Sequence, residues 1–239
     1  MMLKIKDLFT IGTIICGFLV LVFASEGALP VASLLIILGS FLDLMDGFYA
    51  RITGSGNKFG AEFDRIADLI IFNMAPGILL FFYYRPFNLF IASALGVVPL
   101  LFGCIRLARF NVKRIEYPGY WMGFPRPGSA WTIVGFVNSH LFPYPTIKYI
   151  GFGIVLLMGI MNVSLVPYIG HHARNFSLPQ KILMIFLILA LMMGFMAGYG
   201  WDIVFFYGLL YLLSPLYIIP KREWEQINAF VKDWEKRLD

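Results

Sequence analysis

The sequence predicts an all-α polytopic membrane protein with about eight transmembrane helices and both termini in the cytoplasm. Of its 239 residues, 59% are hydrophobic and only 14% are charged. The mean hydropathy is +0.78. Soluble domains carry more charge than this, so lipid must surround much of the chain. The net charge is +5. The distribution of the basic residues is explained by membrane topology, so no nucleic-acid partner is expected.

Eight apolar segments are candidates to cross a hydrocarbon core of about 30 Å, which takes about 17–25 helical residues. The segments are 8–25, 30–52, 59–84, 87–109, 127–142, 146–164, 180–198 and 201–219. The fifth segment is short. Prolines lie at or near the start of several segments, where a helix does not need the missing N–H. Residues 1–239 are therefore interpreted as one membrane domain.

The lysines and arginines predict the orientation of these segments. With a cytoplasmic N-terminus, only Arg85 and Lys148 among the 19 basic residues fall on the outer side. Cytoplasmic loops carry an excess of Lys and Arg, so both termini are expected inside the cell, in an integral cell-membrane protein.

The C-terminal segment, residues 221–239, is predicted to form an amphipathic helix. Its apolar residues fall on one helical face: Trp224, Ile227, Phe230, Val231, Trp234 and Leu238. This pattern is typical of a helix lying in the headgroup plane. A dimer contact would use the same stripe, and the sequence does not separate the two.

An acidic motif lies at the junction of the second and third segments. Four aspartates fall within 26 residues: Asp43, Asp46, Asp64 and Asp68. A carboxylate at membrane depth costs about 2.5–3.5 kcal/mol even on the lenient insertion scale, so such residues are functional candidates. Residues three or four apart share a helical face, and the short connector should bring the two pairs together at the inner membrane boundary.

The chemistry of this cluster indicates a divalent metal site. Oxygen ligands without histidine or cysteine suit Mg²⁺, Mn²⁺ or Ca²⁺, and four carboxylates can hold two ions that clamp a phosphoryl group. Gly47, Ala50 and Gly60 leave room for a ligand close to the backbone, and Arg51 offers a planar fork for phosphate oxygens. The sequence thus predicts a site for a phosphorylated substrate, with a pyrophosphate as the best match.

The motif resembles that of the CDP-alcohol phosphatidyltransferase family, Asp-x2-Asp-Gly-x2-Ala-Arg-x8-Gly-x3-Asp-x3-Asp, with every fixed position filled. The resemblance implies that Asp43, Asp46 and Asp64 bind metal, and that Asp68 is both ligand and general base. It further implies CDP-lipid contacts for Gly47, Ala50, Arg51, Gly60, Asn57 and Thr13. At Thr13 related sequences often carry asparagine. Family members form homodimers, so a homodimer is expected.

A second block resembles the integral-membrane phosphatidylserine synthase branch of that family. Its residues are Gly103–Asn111 and the loop Met122–Pro127, and the specific motifs cover roughly residues 8–130. Arg106 and Arg109 are candidates for the carboxylate of serine, with Asn111 and Arg126 as helpers. Arginines at inner helix ends are also common topology markers that extend to headgroups, and this alternative stays open.

The resemblance implies transfer of the phosphatidyl group of CDP-diacylglycerol, or of CDP-archaeol, to L-serine with release of CMP. Mg²⁺ or Mn²⁺, as two ions, is the expected cofactor. A sister synthase that uses glycerol 3-phosphate or inositol phosphate is the near alternative, and a cation transporter is the remote one. The pair His171–His172 is interpreted as part of a solvated loop, since no carboxylate accompanies it nearby in the sequence.

Overall fold

A computed structural model describes residues 4–54, 57–112, 115, 117–140, 147–170 and 189–236. The histidines 171 and 172 and the first half of the seventh predicted span lie outside these residues. The described chain is mostly helical.

Four long helices form the N-terminal half: α1 (Asp7–Ser25), α2 (Leu29–Thr53), α3 (Lys58–Tyr84) and α4 (Leu89–Val112). All four are long and apolar enough to cross a membrane. Each matches a predicted span to within three residues. Large apolar side chains point outward from them, with Phe18 and Leu34 more than half exposed, as expected where lipid covers the surface. The structure thus confirms four of the eight predicted spans as helices long and apolar enough to cross a membrane.

The C-terminal half contains shorter helices: α5 (Arg126–Asn138), α6 (Ile147–Val163), α7 (residues 189–196), α8 (Gly200–Leu213), α9 (Pro215–Ile218) and α10 (Lys221–Lys236). Helices α5, α6 and α8 begin within one residue of predicted spans. They contain 13, 17 and 14 residues, and a helix rises about 1.5 Å per residue. They are therefore about 20–26 Å long, shorter than a hydrocarbon core of about 30 Å.

The prediction of an entirely helical chain is wrong in one place. Strand β1 (Tyr120–Met122) pairs antiparallel with β2 (Pro167–Ile169), with Trp121 opposite Tyr168. Each strand has three residues, which is too short for an alternating pattern to be recognised in the sequence. This antiparallel pair joins the loop before α5 to the loop after α6.

Helix α3 is interrupted by one π-helical segment, Ile70–Met74. Pro76 lies two residues after this segment, and a proline can neither donate to the carbonyl four residues earlier nor fit closely against it. The wider turn accommodates this defect. Gly39 of α2 packs against the side chain of Ile71, where a methyl group would overlap the isoleucine. The π-helical segment is thus held at the centre of the bundle, among the most buried apolar residues.

The amphipathic helix predicted at the C-terminus is α10. Part of its apolar face packs against the protein itself, a contact that was not predicted. Ile227 and Val231 are buried against Met122, with the loop residues around β1 packed beside them. The ring of Phe230 contacts that of Tyr117, with centroids 5.3 Å apart. The middle of the stripe is therefore covered by the protein's own loop rather than by lipid or a second subunit.

Candidate active site

Three of the four motif aspartates converge where α2 ends and α3 begins. Carboxylate oxygens of Asp43, Asp64 and Asp68 all lie within 4.8 Å of one another. Helix α2 ends at Gly54, which has a left-handed backbone (φ 60°), and Asn57 caps α3 by accepting from the Gly60 N–H at 2.6 Å. This short turn brings the two helix ends together, as the sequence predicts.

Asp46 lies beside this group, on its α1 side. The residue is 5% exposed, and the hydroxyl of Thr10 donates to its carboxylate at 2.7 Å. Its side chain is also within hydrogen-bonding reach of Asp64. Asp43, Asp64 and Asp68 therefore form a trio, and Asp46 lies next to it. Sequence analysis assigned no role to Thr10.

Lys6 is a second residue that sequence reasoning missed. Its ammonium nitrogen lies 3.0 Å from an Asp7 carboxylate oxygen, and the two side chains are 7% and 1% exposed. Lys6 is close enough to Asp46 and Asp64 to attract both electrostatically. A lysine just before an apolar segment resembles an ordinary topology marker, so only the packing of the N-terminus reveals its position.

Gly60 lies where the N-terminal segment packs against α3. A methyl group at Gly60 would overlap the ammonium of Lys6 and lie 2.8 Å from the side-chain oxygen of Asn57. The small residue thus allows the close approach of Lys6, and the predicted contact of Gly60 with the CDP-lipid stays a prediction.

Arg126 forms an ion pair with Asp68. Its Nη2 lies 2.5 Å from Asp68 Oδ2, with the side chains 17% and 19% exposed. Arg126 is the first residue of α5, directly after the extended Pro125. Its Nη1 is buried and has no acceptor among the residues that the structure describes. The residue assigned to the acceptor substrate thus also contacts the proposed base.

Arg106 and Arg109 extend from α4 to backbone carbonyls at the end of α6. Arg106 Nη1 donates to the carbonyls of Phe124 at 2.8 Å and Asn162 at 2.7 Å. Arg109 Nη1 donates to the carbonyl of Val163 at 2.6 Å. Cations are favourable at a helix C-terminus, so these contacts stabilise the loop. The guanidinium of Arg106 also lies within electrostatic reach of those of Arg109 and Arg126, whereas Asn111 is exposed near the end of α4.

The predicted CDP-lipid residues divide into two groups. Gly47, Ala50 and Arg51 lie on α2 beside the cluster, and the guanidinium of Arg51 lies over Gly47, 3.5 Å from where a methyl group would be. Thr13 is fully buried, and its hydroxyl donates to the carbonyls of Phe9 at 3.1 Å and Gly39 at 3.3 Å. This geometry gives Thr13 a role in α1–α2 packing, and its contact with the nucleotide stays a prediction.

The residues fit a divalent cation. Within the described part of the chain, the four motif carboxylates face two positive charges, Lys6 and Arg126, and Lys6 is shared with Asp7. Two like charges 4.8 Å apart repel by about 3 kcal/mol at an effective dielectric constant of about 20. A hard cation would relieve this repulsion with ligands of the type it prefers. The trio Asp43, Asp64 and Asp68 therefore provides a candidate metal site.

Comparison with known proteins points to one family. The sequence model of the family described as CDP-alcohol phosphatidyltransferase matches residues 3–213. A Helicobacter pylori protein named CDP-diacylglycerol–serine O-phosphatidyltransferase is 32% identical over 183 residues, 75% of this chain and 77% of its own length. A Methanocaldococcus jannaschii protein of the same name is 33% identical over 169 residues, 70% of this chain and 74% of its own length. An archaetidylserine synthase from Methanothermobacter thermautotrophicus is 30% identical over 158 residues, 65% of this chain and 67% of its own length.

Proposed function

The chain belongs to the CDP-alcohol phosphatidyltransferase family, and we propose that it is the phosphatidylserine synthase of its membrane. It transfers the phosphatidyl group of a CDP-diacylglycerol-type lipid, or the archaetidyl group of CDP-archaeol, to L-serine and releases CMP. The observation that carries this proposal is the carboxylate trio within 4.8 Å, formed by residues of a completely filled family motif. The names of the relatives support serine as the acceptor.

The donor lipid is bound beside α2. Arg51 supplies a guanidinium for the pyrophosphate oxygens, and Gly47 leaves that guanidinium close to the helix backbone. Ala50 provides a small neighbour, Asn57 caps α3, and Thr13 joins the middle of α1 to the middle of α2 through the Gly39 carbonyl. The lipid chains stay in the bilayer while the nucleotide lies at the membrane boundary.

One or two divalent ions, Mg²⁺ or Mn²⁺, would be held by Asp43, Asp46, Asp64 and Asp68. When bound, the metal supplies positive charge that stabilises the pyrophosphate and the CMP leaving group. Lys6 remains on the Asp46 side of the cluster, where it balances part of the negative charge.

Asp68 is the general base. The bond from the serine hydroxyl oxygen to the lipid-linked phosphorus forms as the bond from that phosphorus to the CMP oxygen breaks. The hydroxyl proton passes to the Asp68 carboxylate, which must lie within hydrogen-bond reach of it. Arg126 orients this carboxylate through the 2.5 Å ion pair. Arg106, with Arg109 beside it, supplies positive charge next to Arg126 for the serine carboxylate.

The same proposal includes the topology. Eight spans with both termini inside place the aspartate motif at the cytoplasmic face of the cell membrane, because 17 of the 19 basic residues then lie on that side. The enzyme acts as a homodimer, as the family resemblance implies.

An acceptor panel tests the proposed function. Purified protein with CDP-diacylglycerol and Mg²⁺ or Mn²⁺ should release CMP when L-serine is added, and far less with glycerol 3-phosphate or inositol phosphate. CMP release only with a phosphorylated alcohol would identify a sister synthase. No CMP release with any alcohol, from folded protein, would contradict the transferase assignment.

A further inference from the structure

A small cavity lies behind the carboxylate cluster, between α3, α4, α5 and α6. Three polar side chains line it, Asn73, Ser129 and Asn162, and the rest of its wall is mainly apolar. The three residues are only 2%, 7% and 3% exposed. The enclosed part has room for about one water-sized group. Such a cavity inside an apolar bundle requires a polar occupant.

The three side chains present oxygen atoms that lack a partner. Asn73 Oδ1, Ser129 Oγ and Asn162 Oδ1 have no hydrogen bond to any residue that the structure describes. The amide orientations follow from their other contacts. Asn73 Nδ2 donates to the carbonyl of Pro99 at 2.9 Å, and Asn162 Nδ2 donates to the carbonyl of Phe124 at 2.9 Å. Since a carbonyl can only accept, each amide oxygen is the atom left without a partner.

Two residues that line the cavity are close in sequence to the proposed base and to its arginine partner. Asn73 lies in the π-helical segment of α3, five residues after Asp68. Ser129 lies three residues after Arg126, and residues three apart in a helix are neighbours on one face. Side chains in a helix lean toward its N-terminus, so Asn73 leans toward the end of α3 that carries Asp68, and Ser129 leans toward the end of α5 that carries Arg126. At a rise of about 1.5 Å per residue, Asn73 lies about 7.5 Å along α3 from Asp68, and Ser129 lies about 4.5 Å along α5 from Arg126.

Asn162 links the cavity to the cationic groups. Its backbone carbonyl accepts from Arg106 at 2.7 Å, while its side-chain oxygen belongs to the cavity. A guanidinium and a set of oxygen acceptors therefore lie side by side. An α-amino acid carries its carboxylate and its ammonium on the same carbon atom, and this is the pattern of charge that the pair of sites complements.

We propose that Asn73, Ser129 and Asn162 form the subsite that binds the α-ammonium group of the acceptor amino acid. This inference rests on the proposed function and extends it. An ammonium group is about the size of a water molecule, carries three N–H donors and matches three oxygen acceptors. With the ammonium in the cavity and the carboxylate at the arginines, the hydroxyl points to Asp68. A phosphorylated alcohol has no ammonium group for the cavity, only neutral hydroxyls with one donor each, and its negative charge is repelled by these oxygens.

The subsite is tested by two substitutions at Ser129 and a matched control. Ser129→Ala removes one acceptor, and Ser129→Val also fills the cavity. Ser33→Ala removes another buried serine hydroxyl, one that accepts from Asn138 and does not line the cavity. The measurements are KM for L-serine, KM for CDP-diacylglycerol and the inhibition constant of 3-hydroxypropanoate, which is serine without its ammonium group. Thermal unfolding of each variant with and without L-serine provides a readout that does not depend on turnover.

We expect Ser129→Val to raise KM for L-serine by at least about tenfold, the usual scale for a lost hydrogen bond to a charged group. Ser129→Ala should show a smaller rise in the same direction. KM for the donor lipid and the inhibition constant of 3-hydroxypropanoate should change less than about twofold, and L-serine should no longer stabilise Ser129→Val against heat. Ser33→Ala should match the wild type in the three constants and in the stabilisation by L-serine, although its own unfolding temperature falls because a buried hydrogen bond is lost.

Two results would overturn the subsite while the proposed function stands. An unchanged KM for L-serine in folded Ser129→Val would mean that the cavity holds only a structural water. Equal losses for L-serine and 3-hydroxypropanoate would mean that the cavity does not recognise the ammonium. A wild-type enzyme that releases CMP with another alcohol but not with L-serine would instead contradict the proposed function itself.

Discussion

Neutralising one member of the carboxylate trio should stabilise the metal-free protein and remove its response to metal. Asp43 has two carboxylate neighbours within 4.8 Å, and each repels it by about 3 kcal/mol at an effective dielectric constant of about 20. Asp43→Asn keeps the size of the side chain and removes both repulsions. Protonation within the wild-type trio lowers the gain, so the net stabilisation is smaller than the sum of the two repulsions.

The sign of the effect should reverse when metal is present. A ligand at one hundred times its dissociation constant stabilises the folded state by about 2.7 kcal/mol, and Asp43→Asn loses much of this because a ligand is missing. In EDTA the variant should unfold at a higher temperature than the wild type, by about 2–4 °C for each kcal/mol gained. In saturating Mg²⁺ the wild type should instead unfold at the higher temperature.

Thermal unfolding in detergent, followed by intrinsic fluorescence in EDTA and in a Mg²⁺ series, measures both effects. Glu62→Gln is the matched control, because Glu62 is an exposed carboxylate of α3 that pairs with Arg65 outside the cluster. The control should leave the metal response intact. An Asp43→Asn protein that is less stable than wild type in EDTA, yet shows a full Mg²⁺ response, would refute the assignment of Asp43 as a ligand.

Four other outcomes are expected. Turnover should stop after verified metal removal and return with Mg²⁺ or Mn²⁺; full activity in EDTA would exclude a metal role. Asp68→Asn should lower turnover by about 10²–10⁴ while CDP-lipid binding largely survives, and near-normal turnover would move the base elsewhere. In a Cys104→Ser background, Lys58→Cys should react with impermeant thiol reagents only from inside and Arg85→Cys only from outside; the opposite pattern would invert the topology. Lys6→Met should weaken donor-lipid binding and lower the unfolding temperature of the metal-free protein, whereas Asp43→Asn should raise it. An unchanged unfolding temperature and unchanged lipid binding would show that Lys6 does not balance the charge of the cluster.

The helices and the carboxylate trio could be predicted because both depend on local patterns. Long apolar runs and prolines indicate where α1 to α4 lie, and a short connector between two helices leaves few ways to arrange Asp43, Asp64 and Asp68. Helical periodicity is sufficient for such cases.

Contacts between distant parts of the chain could not be predicted in the same way. Arg126 is 58 residues from Asp68, and the sequence favoured a substrate or the headgroups as its partner. Lys6 resembled a topology signal until packing placed it next to Gly60. The pairing of the two three-residue strands and the burial of Ile227 against Met122 also depend on loops that meet only in the folded protein.

The stoichiometry of CMP and serine-labelled lipid tests the central claim most directly. Purified protein is given CDP-diacylglycerol, Mg²⁺ or Mn²⁺ and L-serine labelled with ¹⁸O in its hydroxyl group. Attack by that hydroxyl on the lipid-linked phosphorus predicts one phosphatidylserine for each CMP, with the ¹⁸O retained in the lipid and absent from the CMP. Formation of phosphatidate together with a serine ester of CMP, or CMP release without serine in the lipid, would contradict the proposed reaction.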